Sequence, residues 1–258
     1  MITRASHSFA LFLLLVVMAG CSGCGTSVEP GLQPPQPRFV DISVPPAAID
    51  HGFFADPGQD FIVIEWYSNS PDTTTGYVLY RSNDDSLNSD GTLRNRVEIK
   101  TLESPNQLVE PLDSSFIDSV GTKEFGKAYY YQIESYHTSG SNRKTFSKPS
   151  TVNFFTLLPK PTLNSPNSQN IAKEMLTFNW SDPAHGGLFQ VLVRKNDTKE
   201  IVWSSGKIFE FGTDTEAAQY PTDGSALPLE SGVGYQWRVK KVGDHQGGSS
   251  NWQFFSIK

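Results

Sequence analysis

Four aromatic-rich segments occur twice in this chain, in the same order, and that duplication constrains its folding more than any other feature. Ile64-Glu65-Trp66 is matched by Phe178-Asn179-Trp180, and Tyr77-Val78-Leu79-Tyr80 by Phe189-Gln190-Val191-Leu192. Tyr129-Tyr130-Tyr131-Gln132-Ile133 is matched by Tyr235-Gln236-Trp237-Arg238-Val239, and Asn153-Phe154-Phe155-Thr156 by Gln253-Phe254-Phe255-Ser256. Each partner lies roughly 100–114 residues downstream, the length of one sandwich domain.

Within each copy the apolar residues alternate. Ile62, Ile64 and Trp66 fall in phase, as do Tyr77 and Leu79, and Tyr129, Tyr131 and Ile133. Period two is the mark of a strand that turns one face inward. Asp56-Pro57-Gly58, Ser70-Pro71-Asp72, Asp90-Gly91 and Ser139-Gly140 punctuate the strands as turns. A single short helical possibility arises, around Thr215 to Gln219. Many short strands without intervening helices predict an all-β chain of two tandem β-sandwiches.

These residues resemble the fibronectin type III, immunoglobulin-like fold. The resemblance implies a tryptophan on the second strand (Trp66, Trp180), a Tyr-x-aromatic-x-aliphatic sixth strand, and a closing strand. It covers roughly residues 39–258. Tyr129 and Tyr235, which follow Gly126 and Gly234, fit a tyrosine corner whose hydroxyl returns to the upstream backbone. The first copy carries a longer stretch between Tyr80 and Ser114 than such a domain usually has. Sandwiches at 39–158 and 159–258 would be joined by Thr156-Leu157-Leu158-Pro159-Lys160-Pro161, short and stiffened by two prolines.

The N-terminus reads differently. Arg4, an apolar run from Phe9 to Met18 and the small pair Ala19-Gly20 form a secretory signal over residues 1–20, too short for a permanent membrane span. Met18-Ala19-Gly20-Cys21 resembles the lipobox of bacterial lipoproteins, although that family prefers Leu where Met18 stands. The resemblance implies cleavage before Cys21 and lipidation of its thiol with diacylglycerol and palmitate-type chains, which would hold the protein to a membrane. Ser22, rather than Asp, after the cysteine resembles an outer-membrane destination. Residues 21–38 contain Pro30, Pro34, Pro35 and Pro37 without apolar periodicity and read as a tether.

Cys21 and Cys24 are the chain's two cysteines, so no disulfide can staple the domains and no cysteine can serve as nucleophile or zinc ligand there. The net charge of −6, one unit more negative once Arg4 is removed, comes without a basic block and argues against a nucleic-acid partner. Ser86-x-Asn88-x-Asp90-Gly91 resembles part of a calcium loop, but Val97 occupies the position of the bidentate glutamate. The histidines at 7, 51, 137, 185 and 245 form no metal pair, and His137, His185 and His245 read as solvated loop residues. Asp84-Asp85 and Asp56 with Asp60 read as turn residues. No cofactor, metal or catalytic group is expected. The expected partners are the membrane, through the lipid on Cys21, and an envelope protein or glycan. The leading reading is a non-catalytic interaction, adhesion or scaffold module of the envelope. The alternative is a carbohydrate-binding accessory of a polysaccharide system, using Phe53-Phe54, Trp203, Phe209 or Phe211 as stacking rings. Function is expected in loops at the sandwich ends, such as His137–Lys144 and Asp244–Ser250, or on exposed sheet faces.

Overall fold

The computed structural model describes residues 32–44, 47–103, 114–167, 171–172, 176–183, 187–210 and 216–258, with Phe209 and Glu210 described by backbone alone. Cys21, Cys24, His7, His185, Phe211, the expected signal and residues 21–31 of the expected tether lie outside the described residues.

Every regular element among the described residues is a strand. The first half contributes β1 (Arg38–Phe39), β2 (Phe53–Ala55), β3 (Ile62–Tyr67), β4 (Gly76–Ser82), β5 (Val97–Glu103), β6 (Ser115–Asp118), β7 (Ala128–Thr138), β8 (Lys144–Phe146) and β9 (Asn153–Leu157). The second contributes β10 (Thr162–Ser165), β11 (Thr177–Ser181), β12 (Gly187–Lys195), β13 (Ile201–Ser204), β14 (Ile208–Glu210), β15 (Glu216–Gln219), β16 (Gly234–Gly243), β17 (Gln246–Ser249) and β18 (Gln253–Ser256).

In the first half β3 is flanked by β1 and β2 on one side and β6 on the other, while β5, β4, β7 and β8/β9 form the facing sheet. The second half repeats this: β10-β11-β15 faces β13/β14, β12, β16 and β17/β18. The strand after the third crosses to pair with the third (β5 on β4, β13 on β12), unlike the constant-type immunoglobulin arrangement, where four strands share the first sheet. The chain is therefore two fibronectin type III-like sandwiches. Where the sequence left a short helix possible, Glu216–Gln219 is a strand registered against Thr177–Trp180. A four-residue run of helix formers yields there to an open sheet edge.

Each sandwich closes on its own aromatic core. Trp66 and Trp180 are buried, and each meets an aromatic ring near the start of the next strand: Trp66 with Tyr77 at 5.6 Å and Trp180 with Phe189 at 5.7 Å. Both tyrosine corners form. The Tyr129 hydroxyl accepts from the Glu124 amide at 2.7 Å, and Tyr235 accepts from Glu230 at 2.9 Å. Ser150 and Ser250 repeat a second device, their hydroxyls accepting from the amides of Ile133 and Val239 as the last strand bends.

The long stretch in the first copy folds back on its own sheet. Leu93 is buried, its amide bonded to the Gln132 side chain at 2.7 Å, and Gln132 donates in turn to Gly91 and Ser150 carbonyls. The end of the expected tether is packed down as well. Pro34 and Pro37 are buried, and the Pro35 carbonyl accepts from Ser135 and Asn69.

Candidate functional site

Buried charge and close backbone approach coincide where the two sandwiches meet. β17 lies parallel to β9, Gln246 opposite Thr156 and Gly247 opposite Leu157, so the two larger sheets run on into one of eleven strands. The amides of Thr156 and Leu158 donate to the carbonyls of His245 and Gly247, each at 2.8 Å. The approach demands glycine: a Cβ on Gly248 would come within 2.5 Å of the Leu158 carbonyl oxygen. Gly58 donates to the Ser249 carbonyl at 2.9 Å, and the Lys160 ammonium bonds the Gly58 carbonyl at 3.0 Å and lies 3.4 Å from Asp60.

Alternation along β16 puts Trp237, Val239 and Lys241 inward, leaving Arg238 and Lys240 on the outer face. That face is covered by the first sandwich. Asp50 reaches over from the loop before β2, accepting from Lys240 at 2.7 Å and Arg238 at 3.2 Å, and the Ala47 carbonyl accepts from Lys240 at 3.0 Å. Trp252 is flanked by two guanidiniums, Arg194 at 3.8 Å and Arg238 at 4.8 Å from its ring centre. Burial pulls Arg238 and Lys240 below their ordinary values, and Asp50 opposes that pull. Burial likewise raises Asp56, against the opposing influence of Arg238. A ladder of Arg194, Trp252, Arg238, Asp50 and Lys240 thus crosses from one sandwich to the other.

Beside the ladder lies an open groove of about 450 Å³, with Ile42 and Val44 from the first sandwich and Leu188, Val242, Asp244 and His245 from the second. Its volume is in the range of ligand and side-chain pockets. Val44 is 82% exposed, and neighbouring Ile49 is 66% exposed. The arrangement offers an apolar floor with charged lips; it does not converge a nucleophile, a base and an oxyanion donor on one point.

The other sequence-derived candidates fall elsewhere. Phe53 and Trp203 are buried, Trp203 against Phe178 and Tyr220, and Phe54 is half-buried, so these rings offer no flat platform to a sugar. His137 is on β7 opposite Thr145, not in a loop, and its Nδ1 is buried. His245 is stacked on Phe154 at 4.4 Å rather than freely solvated. Asp244–Ser250, expected to be free for a partner, is largely the seam: Gly247 through Ser250 are buried. In the calcium-like loop, Asp90 accepts from both the amide and hydroxyl of Thr92, and Asn88 bonds Thr92. Ser86 donates its amide to Asp84. Among the described residues no group of three or more histidine, cysteine or acidic side chains could hold a metal.

No protein-family model matches the chain, and no curated protein sequence matches it. Among solved structures it is similar to the crystal structure of chicken CNTN1 FN1-FN3 domains, at 10% identity across 88% of this chain and 68% of that one, with a TM-score of 0.32. At that score the likeness bears no weight; strand order alone assigns the fold.

Proposed function

We propose that the protein is a non-catalytic interaction module of the bacterial envelope, held to the outer membrane by lipid on Cys21. Met18-Ala19-Gly20-Cys21 and Ser22 support the anchor. The observation that carries the interaction reading is the seam. Its buried charges are engaged in fixing one sandwich against the other, and the groove beside it draws its walls from both. A surface shared by two domains at a fixed angle suits recognition of a protein partner, because preorganisation spares the ordering cost of binding. The carbohydrate alternative has less support, since Phe53 and Trp203 are occupied in cores.

Three experiments test this. Cys21→Ala should accumulate as unprocessed precursor while the wild type takes up labelled palmitate; normal processing of the mutant and an unlabelled wild type would remove the anchor. Val44→Asp should weaken capture of an envelope partner at least several-fold while leaving the melting temperature unchanged. Unaltered capture would move the contact off the groove. Turnover of an ester, glycoside or peptide, lost on changing one carboxylate or histidine, would overturn the non-catalytic reading.

A further inference from the structure

Phe53 and Trp203 are lost to the cores, but the second sandwich displays another ring on its outer face. Tyr235, Trp237 and Phe255 point into the core, so alternation turns Gln236 and Phe254 outward. Register then sets three outward side chains in one row: Arg194 on β12 stands opposite Gln236 on β16, and Gln236 opposite Phe254 on β18. The next outward position on β16 is Gly234, and the Phe254 ring leans into the space that the missing side chain leaves. A Cβ on Gly234 would lie 2.8 Å from Cε2 and 3.2 Å from Cζ of that ring, and 3.7 Å from Cβ of Asn196. The Phe254 ring is 38% exposed, and among the described residues no other ring meets it.

Polar groups fringe the ring. The Gln236 side-chain carbonyl accepts from Nε of Arg194 at 3.0 Å and from the Lys199 ammonium at 3.4 Å. Arg194 lies over Trp252, 3.8 Å from the ring centre, and among the described residues it pairs with no carboxylate. Burial pulls it below its ordinary value, as befits a guanidinium that has given up water without gaining an acid. The acids of the adjoining turn are engaged: Asp197 accepts from the Thr198 amide, and Glu200 lies 3.4 Å from Lys195.

We propose that this row binds an acidic sugar, a pyranose carrying a carboxylate. The C–H face of the pyranose packs on the Phe254 ring, whose π-face is negative. The carboxylate takes the terminal nitrogens of Arg194, whose planar fork matches it, with the Lys199 charge beside it. Sugar hydroxyls meet the side-chain amides of Gln236 and Asn196, which offer donors and acceptors together. The site is independent of the groove between the sandwiches.

The first sandwich supplies the contrast. It has the equivalent ring, Phe154, but closes it. Tyr130 stands where Gln236 does and meets Phe154 at 5.7 Å, and His245 stacks on it at 4.4 Å from across the seam. Ser82 takes the place of Arg194, so that row contains no cation. Sugar binding is proposed for the second sandwich alone.

Nuclear magnetic resonance of the full protein tests the site with trisaccharides of galacturonic, glucuronic and mannuronic acid, each beside its methyl ester. At least one acid should shift the Arg194 Nε–H and Phe254 ring signals saturably. Its ester should bind about tenfold more weakly, as expected when hydrogen bonds to a charged group are lost. Phe254→Ala should abolish saturation, and Arg194→Gln should bring acid and ester to equal affinity. Both changes lie on the outer face and should leave the circular dichroism spectrum native. Silence of both signals toward all three acids would overturn the proposal, as would an ester that binds as well as its acid. So would shifts gathered at Val242 and His245 in the groove while Phe254 stays unmoved.

Discussion

The two sandwiches share strand order, tyrosine corner, tryptophan pair and serine bend, yet they cover their outer faces by opposite means. The first uses its own chain: the segment ending in Leu93 folds down and Gln132 fastens it. The second leaves Arg238 and Lys240 to be covered by Asp50 and Ala47 of its neighbour. Cores tolerate little divergence because every inward side chain has a packed counterpart. Outer faces can take charge, and a buried charge then requires a partner. The second sandwich therefore depends on the first for electrostatic completion, while the first seals its own sheet.

The largest test of that asymmetry is at the tryptophans. Trp66→Ala and Trp180→Ala should each cost about 3–5 kcal/mol. Independent domains would lose protection one at a time, as the duplication by itself suggests. With the seam, Trp66→Ala should also raise hydrogen exchange along β16, because its loss frees Asp50 from Arg238 and Lys240. Unchanged protection of β16 in that variant would break the comparison.

Asp50→Ala comes next. Removing one partner of a buried ion pair costs about 3–5 kcal/mol, and the lower end applies because Asp50 keeps 18% of its side-chain exposure. Calorimetry should show the second sandwich losing stability while the first is nearly unaffected. Equal loss in both would mean the dependence is mutual.

Smaller and symmetric effects are expected where the copies agree. Tyr129→Phe and Tyr235→Phe each delete one corner hydrogen bond and should cost about 1 kcal/mol by denaturant titration. A difference of more than a factor of two would show that the corners have diverged. The weakest signal is alkaline. Burial, as the leading cause, pushes Tyr80 in the first sandwich and Tyr220 in the second up to about 12. Folded tyrosine then keeps its proton where the unfolded chain, near 10, loses it. Their contribution is complete below pH 10 and disappears as pH rises through 12. Phenolate absorbance should lag behind that of the denatured chain in both sandwiches.

How far the sequence spoke for itself follows sequence distance and phase. Tyr129 and Tyr235 bond amides five residues upstream, and Trp66 and Trp180 sit in plain alternation, so corners and cores were legible. Asp50 and Arg238 are 188 positions apart, and nothing local to either announces the other. The nearest signal was the pair of cations two residues apart on the outer phase of β16, without a carboxylate beside them. The Asp244–Ser250 loop misled because Gly247-Gly248 reads as a flexible tip, whereas Gly248 is there to admit the Leu158 backbone and Gly247 lies close under the Lys241 carbonyl. Leu93 lies in a polar turn, where a lone leucine gives no period to read.

The pairing of β17 with β9 has a consequence for solubility. A bare strand edge offers unpaired amides and carbonyls to any other chain, and proteins normally blunt such edges. Here two edges blunt each other, since the backbone groups of Thr156, Leu158, His245 and Gly247 are joined in pairs. At the far edge β5 protects itself with Glu98, Lys100 and Glu103. Separating the halves at Pro159 would uncover both seam edges at once, with Gly247-Gly248 giving one of them no side chains to fend off a neighbour. Each half, expressed alone, should therefore clump at concentrations where the intact chain stays dispersed.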